Sequence, residues 1–467
     1  MAAIGDAHSL DVDYWQGALG ARAEGTNPYE TGVLNWPPLW LEIIVLLDGI
    51  AQRVDASFLS ILRIYLIVVE SAIVVALYFT LIHVGAIRSA VRRALLVGIA
   101  LNPVMIILVC QHGNSDVNVG LFVTLACTAL IAYHRSRDVP LWLLGCLFIG
   151  LGVLAKTTPL ILAPLLSPGA RLTSAVGRVL GATLLLLPVA AGLSVLLALV
   201  PSATFEYVIK YRTRPGNFGF SGVVQEVSVT SIRYELGLIL GLWLAALALW
   251  RWRDGARSRT RRYLLVITTA MVVALVVVEA LEAVSIDAHS SYATIFTLGI
   301  LVFVGTLGYR LWREPPLAAE QLFLSVAIIF MAVVAFGTGY GAHYAPWFLP
   351  ALIATYVLLD DGWRRLLLAG YVIAAATYAV EYAFIDFLGA SASAALGDPD
   401  WATDFGTWLN RPDRWGLMRV PLFTIYVVVI AAGLARLADL TTRSSGGNAA
   451  RTSPPAASPA TSGPRRA

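Results

Sequence analysis

Between residues 58 and 438 the chain is a near-continuous series of apolar runs, many of them about as long as a bilayer is thick. A hydrocarbon core of about 30 Å needs roughly 20 apolar residues in helical form. Lipid offers no hydrogen bonds, so the backbone of such runs must pair with itself, as a helix does. The runs fall at about 58–82, 94–110, 117–134, 140–155, 157–166, 174–199, 232–251, 263–282, 292–311, 320–336, 344–360, 364–387 and 416–438. Only 13% of the 467 residues are charged, against about 25% in a soluble domain. The expectation is an all-α, polytopic membrane protein with 12–13 spanning or half-spanning helices. The runs at 140–155 and 157–166 are short and broken at Lys156 and Pro159. They read as two half-helices or a re-entrant pair.

Arginines set the orientation. Arg88, Arg92 and Arg93 follow the first span, and Arg135 and Arg137 follow the third. The 251–262 loop, Arg310, Arg313, Arg364 and Arg365 continue the series. With these spans every basic loop falls on one face, expected to be cytoplasmic. The opposite face collects 1–57, 111–116, 201–231, 283–291, 337–343 and 388–415, where the polar and aromatic clusters lie. Residues 1–57 then have to reach that outer face. Either a first spanning helix precedes this sequence, or the 58–82 helix carries them across. The run at 38–52 opens with Pro38 and contains Glu42 and Asp48, so it reads as an interfacial amphipathic helix. Three divisions result: an outer-face segment over 1–57, a transmembrane domain over 58–438 and a disordered cytoplasmic tail over 439–467. That tail is rich in Ser, Pro, Ala and Gly and cannot build a core.

Motifs narrow the chemistry. There is no Walker sequence and no dinucleotide fingerprint, which argues against ATP-driven pumping and nicotinamide chemistry. Cys110, Cys127 and Cys146 lie in apolar runs and read as reduced, packed thiols. Glu70, Glu279 and Glu282 lie within spans, need partners and read as structural. Lysine occurs only at 156 and 210, which makes each one conspicuous.

Four clusters share the outer face. The segment 11–40 holds Asp11, Asp13, Trp15, Tyr29 and Trp36, with Pro28, Pro37 and Pro38 forbidding one continuous helix. It is expected to fold over the membrane as a cap, with its two carboxylates in a loop. An ordinary solvated loop has the same composition. QHGNSDVN (111–118) supplies His112, Asp116 and Asn118. The 206–222 segment supplies Lys210, Arg212 and Arg214, and FGTGYGAHYAPW (336–347) supplies His343 and Tyr344. A carboxylate base, hydroxyl-binding groups and a positive pocket suit sugar transfer from a lipid phosphate. Bland roles compete for each. The histidines could cap helix ends, Asp116 could be an N-cap for 117–134, and Lys156 could neutralise a dipole.

These motifs resemble those of the GT-C glycosyltransferases, polytopic enzymes that use polyprenyl- or dolichyl-phosphate sugars. Asp11 to Trp15, Asn27-Pro28-Tyr29 and Trp36-Pro37-Pro38-Leu39 are similar to the first outer loop of that class. HGNSDVN (112–118) resembles both the His-Gly-x-Phe-x-x-Asn of the Asn-glycosylation glucosyltransferases and the Gly-x-x-Asp of bacterial polyprenyl-phosphate-mannose enzymes. LAKTTPLILAP (154–164) and GYGAHYAPWFLP (339–350) look like further recurrent elements. Two departures stand out: the usual first helix is missing, and Trp36 replaces the usual aromatic before Pro-Pro.

The resemblance implies an inverting hexosyltransferase of the bacterial plasma membrane, working on its non-cytoplasmic face. Mannose or glucose would pass from a polyprenyl phosphate to a lipid-linked or envelope glycan. Asp11 or Asp13 would be the base. Trp15, Tyr29, Trp36, His112, Asp116, Asn118, Lys156, Arg212, Arg214, His343 and Tyr344 would contact substrate. The expected partners are donor, acceptor and membrane lipids, with no nucleic acid. The resemblance fixes no cofactor, and a role for a divalent metal stays open. The rival reading is a transporter or flippase with its substrate near Lys156.

Overall fold

In the computed structural model the described residues are 10–31, 34, 36–166, 318–337, 344–359 and 423–440, with isolated helical positions within 259–273, 302–306 and 362–375. Helices α1 (Leu10–Ala23), α2 (Pro38–Arg53), α3 (Phe58–His83) and α4 (Arg88–Leu95) come first. A short α5 (Pro103–Ile106), α6 (Val117–Ser136) and α7 (Val139–Ala155) follow. Then come α8 (Ala319–Phe336), α9 (Ala345–Leu358) and α10 (Phe423–Leu440). Among the described residues there is no strand. Among the described residues four helices, α3, α6, α8 and α10, are long and apolar enough to cross a membrane. This is an all-α helical membrane protein. The expected spans at 174–199, 232–251 and 292–311, most of 263–282 and 364–387, and the tail from 441 lie outside the described residues.

The starts of α2, α3 and α5 have local reasons. Ser57 precedes α3, and its hydroxyl accepts the Ser60 amide at 3.2 Å, filling one of the first-turn donors' needs. Pro38 and Pro103 open their helices, where a missing N–H costs nothing. Ile64, Val68, Val75 and Phe79 are exposed along α3, which makes that side a lipid-facing surface. By contrast α8 is buried along nearly its whole length, from Gln321 to Ala335.

Two expectations change. The run at 94–110 is not one straight helix. Its two halves, Arg88–Ala100 and Pro103–Cys110, meet at a 44° bend. Pro103 cannot donate to the preceding turn. Asn102 restores part of the lost bonding, donating to the Gly98 carbonyl at 3.1 Å and accepting from the Val104 amide at 3.0 Å. Second, the Asp doublet lies on a helix and not in a loop. The prolines begin only at residue 28, so nothing prevents α1 from forming before them.

Helix directions follow from cross-links. Tyr65 on α3 donates to Asn118 on α6 at 2.5 Å, Thr80 and Thr128 share a hydrogen bond of 2.8 Å, and Arg135 donates to the His83 carbonyl. Helices α3 and α6 are therefore parallel. The short link from α6 to α7 sends α7 back, and α9 starts beside the start of α6. One end of the bundle thus gathers the starts of α6 and α9 and the end of α7. The other end gathers Arg88, Arg92, Arg93, Arg135, Arg137 and Arg364, the segregation that the sequence implied.

Candidate active site at the cap end of the bundle

The cap is built on tryptophan. In α1, Val12, Trp15 and Ala18 recur at helical spacing and are fully buried. Trp15 packs edge-on against Trp36 at 5.5 Å and Trp40 at 4.9 Å between ring centroids. Tyr29 donates its hydroxyl to the Trp36 carbonyl at 3.1 Å. An exposed ion pair, Arg22 to Glu42 at 2.9 Å, ties α1 to α2. These aromatics therefore do not offer free ring faces. Trp15, Tyr29 and Trp36, expected to stack on a sugar, are 0%, 3% and 7% exposed and serve as the core of the cap.

That core sets the two carboxylates in different surroundings. On a helix, residues two apart point in different directions. Asp11 shares the side of Trp15 and Ala18 and is partly buried, whereas Asp13 is exposed. Asp11 makes no hydrogen bond or ion pair among the described residues. Its electrostatic neighbours are Lys156 and Asp116. Burial pushes the Asp11 carboxyl up from its usual range to about 6, with the Lys156 ammonium pulling it down and the Asp116 carboxylate adding to the rise.

Asp116 comes from a tight turn. Gly113 adopts a left-handed conformation, φ +71°, and a Cβ there would lie 3.3 Å from Val12 Cγ2, so glycine lets α1 settle on the turn. The Asn114 side chain accepts the Asp116 amide at 2.7 Å. Asn118 donates its side-chain amide to the Ser115 carbonyl at 2.9 Å and accepts the Tyr65 hydroxyl. Asp116 occupies the N-cap position of α6, yet its side chain makes no capping bond. Its Oδ1 instead receives the Lys156 ammonium at 2.7 Å and the Trp347 indole N–H at 2.9 Å.

Lys156 stands where α7 ends. Its backbone is extended, φ −159° and ψ 135°, and Thr158–Leu166 continues as a 3-10 helix. This matches the expected break at 156–159. The ammonium lies 4.4 Å from the centroid of Tyr344 and 5.3 Å from that of Trp347, within range of cation–π attraction. The Lys156 side chain keeps 24% of its surface exposed, against 3% for Asp116. A fixed cation thus keeps one side exposed.

Of the expected site residues, Asp11, Asp116, Lys156 and Tyr344 meet here, with Asn118 bracing the turn. His112 is buried just before that turn. Arg212, Arg214 and His343 lie outside the described residues. Sequence reasoning missed Trp347, Tyr65, Gly113 and Gly120. A Cβ on Gly120 would lie 2.6 Å from the Pro346 carbonyl oxygen, so this glycine admits the start of α9 and brings Trp347 to Asp116. A signal for Trp347 existed: it stands three residues after Tyr344 at a helix start, on the same side. A scan against protein-family models finds no match for the chain, and neither does a search of the curated proteins.

Proposed function

We propose that the protein is a GT-C-type glycosyltransferase that moves a hexose, mannose or glucose, from a polyprenyl phosphate to a lipid-linked or envelope glycan. One observation carries the reading. A partly buried carboxyl, Asp11, makes no hydrogen bond or ion pair among the described residues and has as electrostatic neighbours Asp116 and Lys156, the lysine held at 2.7 Å by Asp116 and walled by Tyr344. Asp11 accepts the proton of the acceptor hydroxyl as its oxygen bonds to the anomeric carbon. The bond from that carbon to the phosphate oxygen breaks, and polyprenyl phosphate leaves. Lys156 meets the negative charge growing on the departing oxygen. Attack opposite the leaving group inverts the anomeric centre. A base titrating near 6 is ionised at neutral pH and still basic enough to be useful. The arginine-bearing end belongs in the cytoplasm by the positive-inside rule, which leaves the cap end on the outer face of a bacterial plasma membrane.

The test uses the full chain purified in detergent and a panel of polyprenyl-phosphate sugars with glycan acceptors. Release of polyprenyl phosphate that depends on Asp11 supports the reading. Folded protein that releases none with any donor overturns it. Movement of the intact lipid across a proteoliposome membrane, without release, replaces it with the transporter reading.

A further inference from the structure

The arginine end of the bundle carries a pattern that helix capping does not use. Helix α4 starts shortly after α3 ends, and its helical run continues to Ala100. The turn between them is tight: Gly85 takes φ +93°, and the Ala86 amide donates to the Leu81 carbonyl at 2.9 Å. The run therefore folds back against α3. Val91, Leu95, Gly98 and Ile99 are its buried side. Its exposed side consists of pairs one turn apart: Arg88 and Ser89, Arg92 and Arg93, Leu96 and Val97, then Ala100 and Leu101. The first two pairs are polar and the last two apolar, so one surface changes character at a single level. On α3 the exposed row of Val68, Val75 and Phe79 likewise ends in the exposed His83. One turn separates Arg92 from Leu96, about 6 Å along the axis. A phospholipid passes from phosphate to acyl chain just as abruptly.

The chain supplies these arginines with no counter-charge nearby in sequence. No Asp or Glu occurs between Glu70 and Asp116. Among the described residues Arg88, Arg92 and Arg93 form no ion pair. Arg93 donates its Nε to the Ser89 carbonyl at 3.4 Å, which ties that guanidinium to the exposed side of the helix. We infer that this stripe is a binding site for an anionic phospholipid of the adjacent leaflet. The lipid phosphate meets Arg88, Arg92 and Arg93, and the acyl chains lie on Leu96, Val97 and Leu101. A zwitterionic lipid brings its own cation and gains little there. The site lies at the opposite end of the bundle from Asp116 and Lys156, so it holds whether or not the protein transfers sugar.

The experiment melts the detergent-purified full chain by scanning fluorimetry during titration with dioleoyl phosphatidylglycerol, with dioleoyl phosphatidylcholine in parallel. A ligand that binds only the folded state raises the melting temperature. Phosphatidylglycerol should raise it saturably, phosphatidylcholine should not, and added salt should weaken the effect. Each arginine near an anionic headgroup is worth about fivefold in binding. Arg88→Gln should thus move the half-maximal lipid concentration up about fivefold, and Arg92→Gln/Arg93→Gln roughly 25-fold, with the lipid-free melt unchanged. Arg137→Gln removes a cation of the same end that lies off the stripe, over the Tyr133 ring at 6.0 Å, and should leave the titration as it was. Equal responses to the two lipids overturn the inference. So does an Arg137→Gln loss as large as that of Arg92→Gln/Arg93→Gln, which would mean diffuse charge and not a site. Inorganic phosphate that reproduces the full shift also overturns it, since the acyl chains would then be irrelevant. If the double variant fails to fold, Arg88→Gln against Arg137→Gln decides.

Discussion

The two ends of the helix bundle both use charge, in opposite ways. At the arginine end Arg135 and Arg364 bond to carbonyls where helices finish. Arg364 donates to the Tyr356 and Val357 carbonyls, eight and seven residues back along its own chain, and Arg135 donates to the His83 carbonyl at the end of α3. Such bonds satisfy orphan carbonyls and complement the helix dipole. At the cap end the cation meets a carboxylate and two rings instead. Lys156 reaches Asp116 over 40 residues and Trp347 reaches it over 231. The first pattern finishes helices. The second gathers an ammonium and an indole N–H on one carboxylate oxygen. That difference separates a topological signal from a site.

The comparison can be broken most severely at Asp11. Asp11→Asn keeps the shape and removes the proton acceptor, so turnover should fall by roughly 10²–10⁴-fold, with donor binding retained. Asp13→Asn, on the exposed side of α1, should change little. Polyprenyl phosphate release measures both. If Asp13→Asn were the lethal change, the helical placement of the doublet would be pointing to the wrong residue.

Next in size is Asp116→Ala. It removes the acceptor that the Lys156 ammonium and the Trp347 N–H share, and removing one partner of a buried pair costs about 3–5 kcal/mol. A fall in melting temperature of that order, seen by scanning fluorimetry in detergent, is the expected result. A neutral outcome would mean that the cap end is no more tightly coupled than the arginine end.

A pH series sharpens the same contrast. The Asp11 carboxyl titrates at about 6 in the folded protein against 3.8 for the free group. The fold therefore favours the protonated form, and its stability falls as pH rises from about 3.8 through about 6. The difference corresponds to about 2–3 kcal/mol. Asp11→Asn should thus stabilise the protein at pH 7.5 and not at pH 3.5. Melting curves at both pH values check the sign. Wild-type turnover should rise as pH passes about 6.

Gly120→Ala should cost about 1–3 kcal/mol, because its Cβ would meet the Pro346 backbone oxygen and one side must move. The shift would carry Trp347 away from Asp116, so tryptophan fluorescence should change with stability. The smallest effect belongs to the arginine end. Arg135→Ala removes one exposed bond to the His83 carbonyl and should cost about 1 kcal/mol or less, with turnover unchanged.

The sequence by itself determined the helical membrane architecture, because long apolar runs in lipid have one way to satisfy their backbones. Arginine placement similarly determined which loops share an end of the bundle, and Pro159 with Lys156 marked the break after α7. Both signals are local or periodic, and a linear reading captures them. Only the tertiary structure decided the rest. Pro103 and Asn102 turned one expected span into a 44° bend. The helix over Leu10–Ala23 separated Asp11 from Asp13, which a loop would have left equivalent. Packing buried Trp15, Tyr29 and Trp36, whose composition had suggested a sugar platform. The bond from Trp347 to Asp116 depends on how closely α6 and α9 approach at Gly120. That is a matter of volume between distant segments, and no spacing within either segment encodes it.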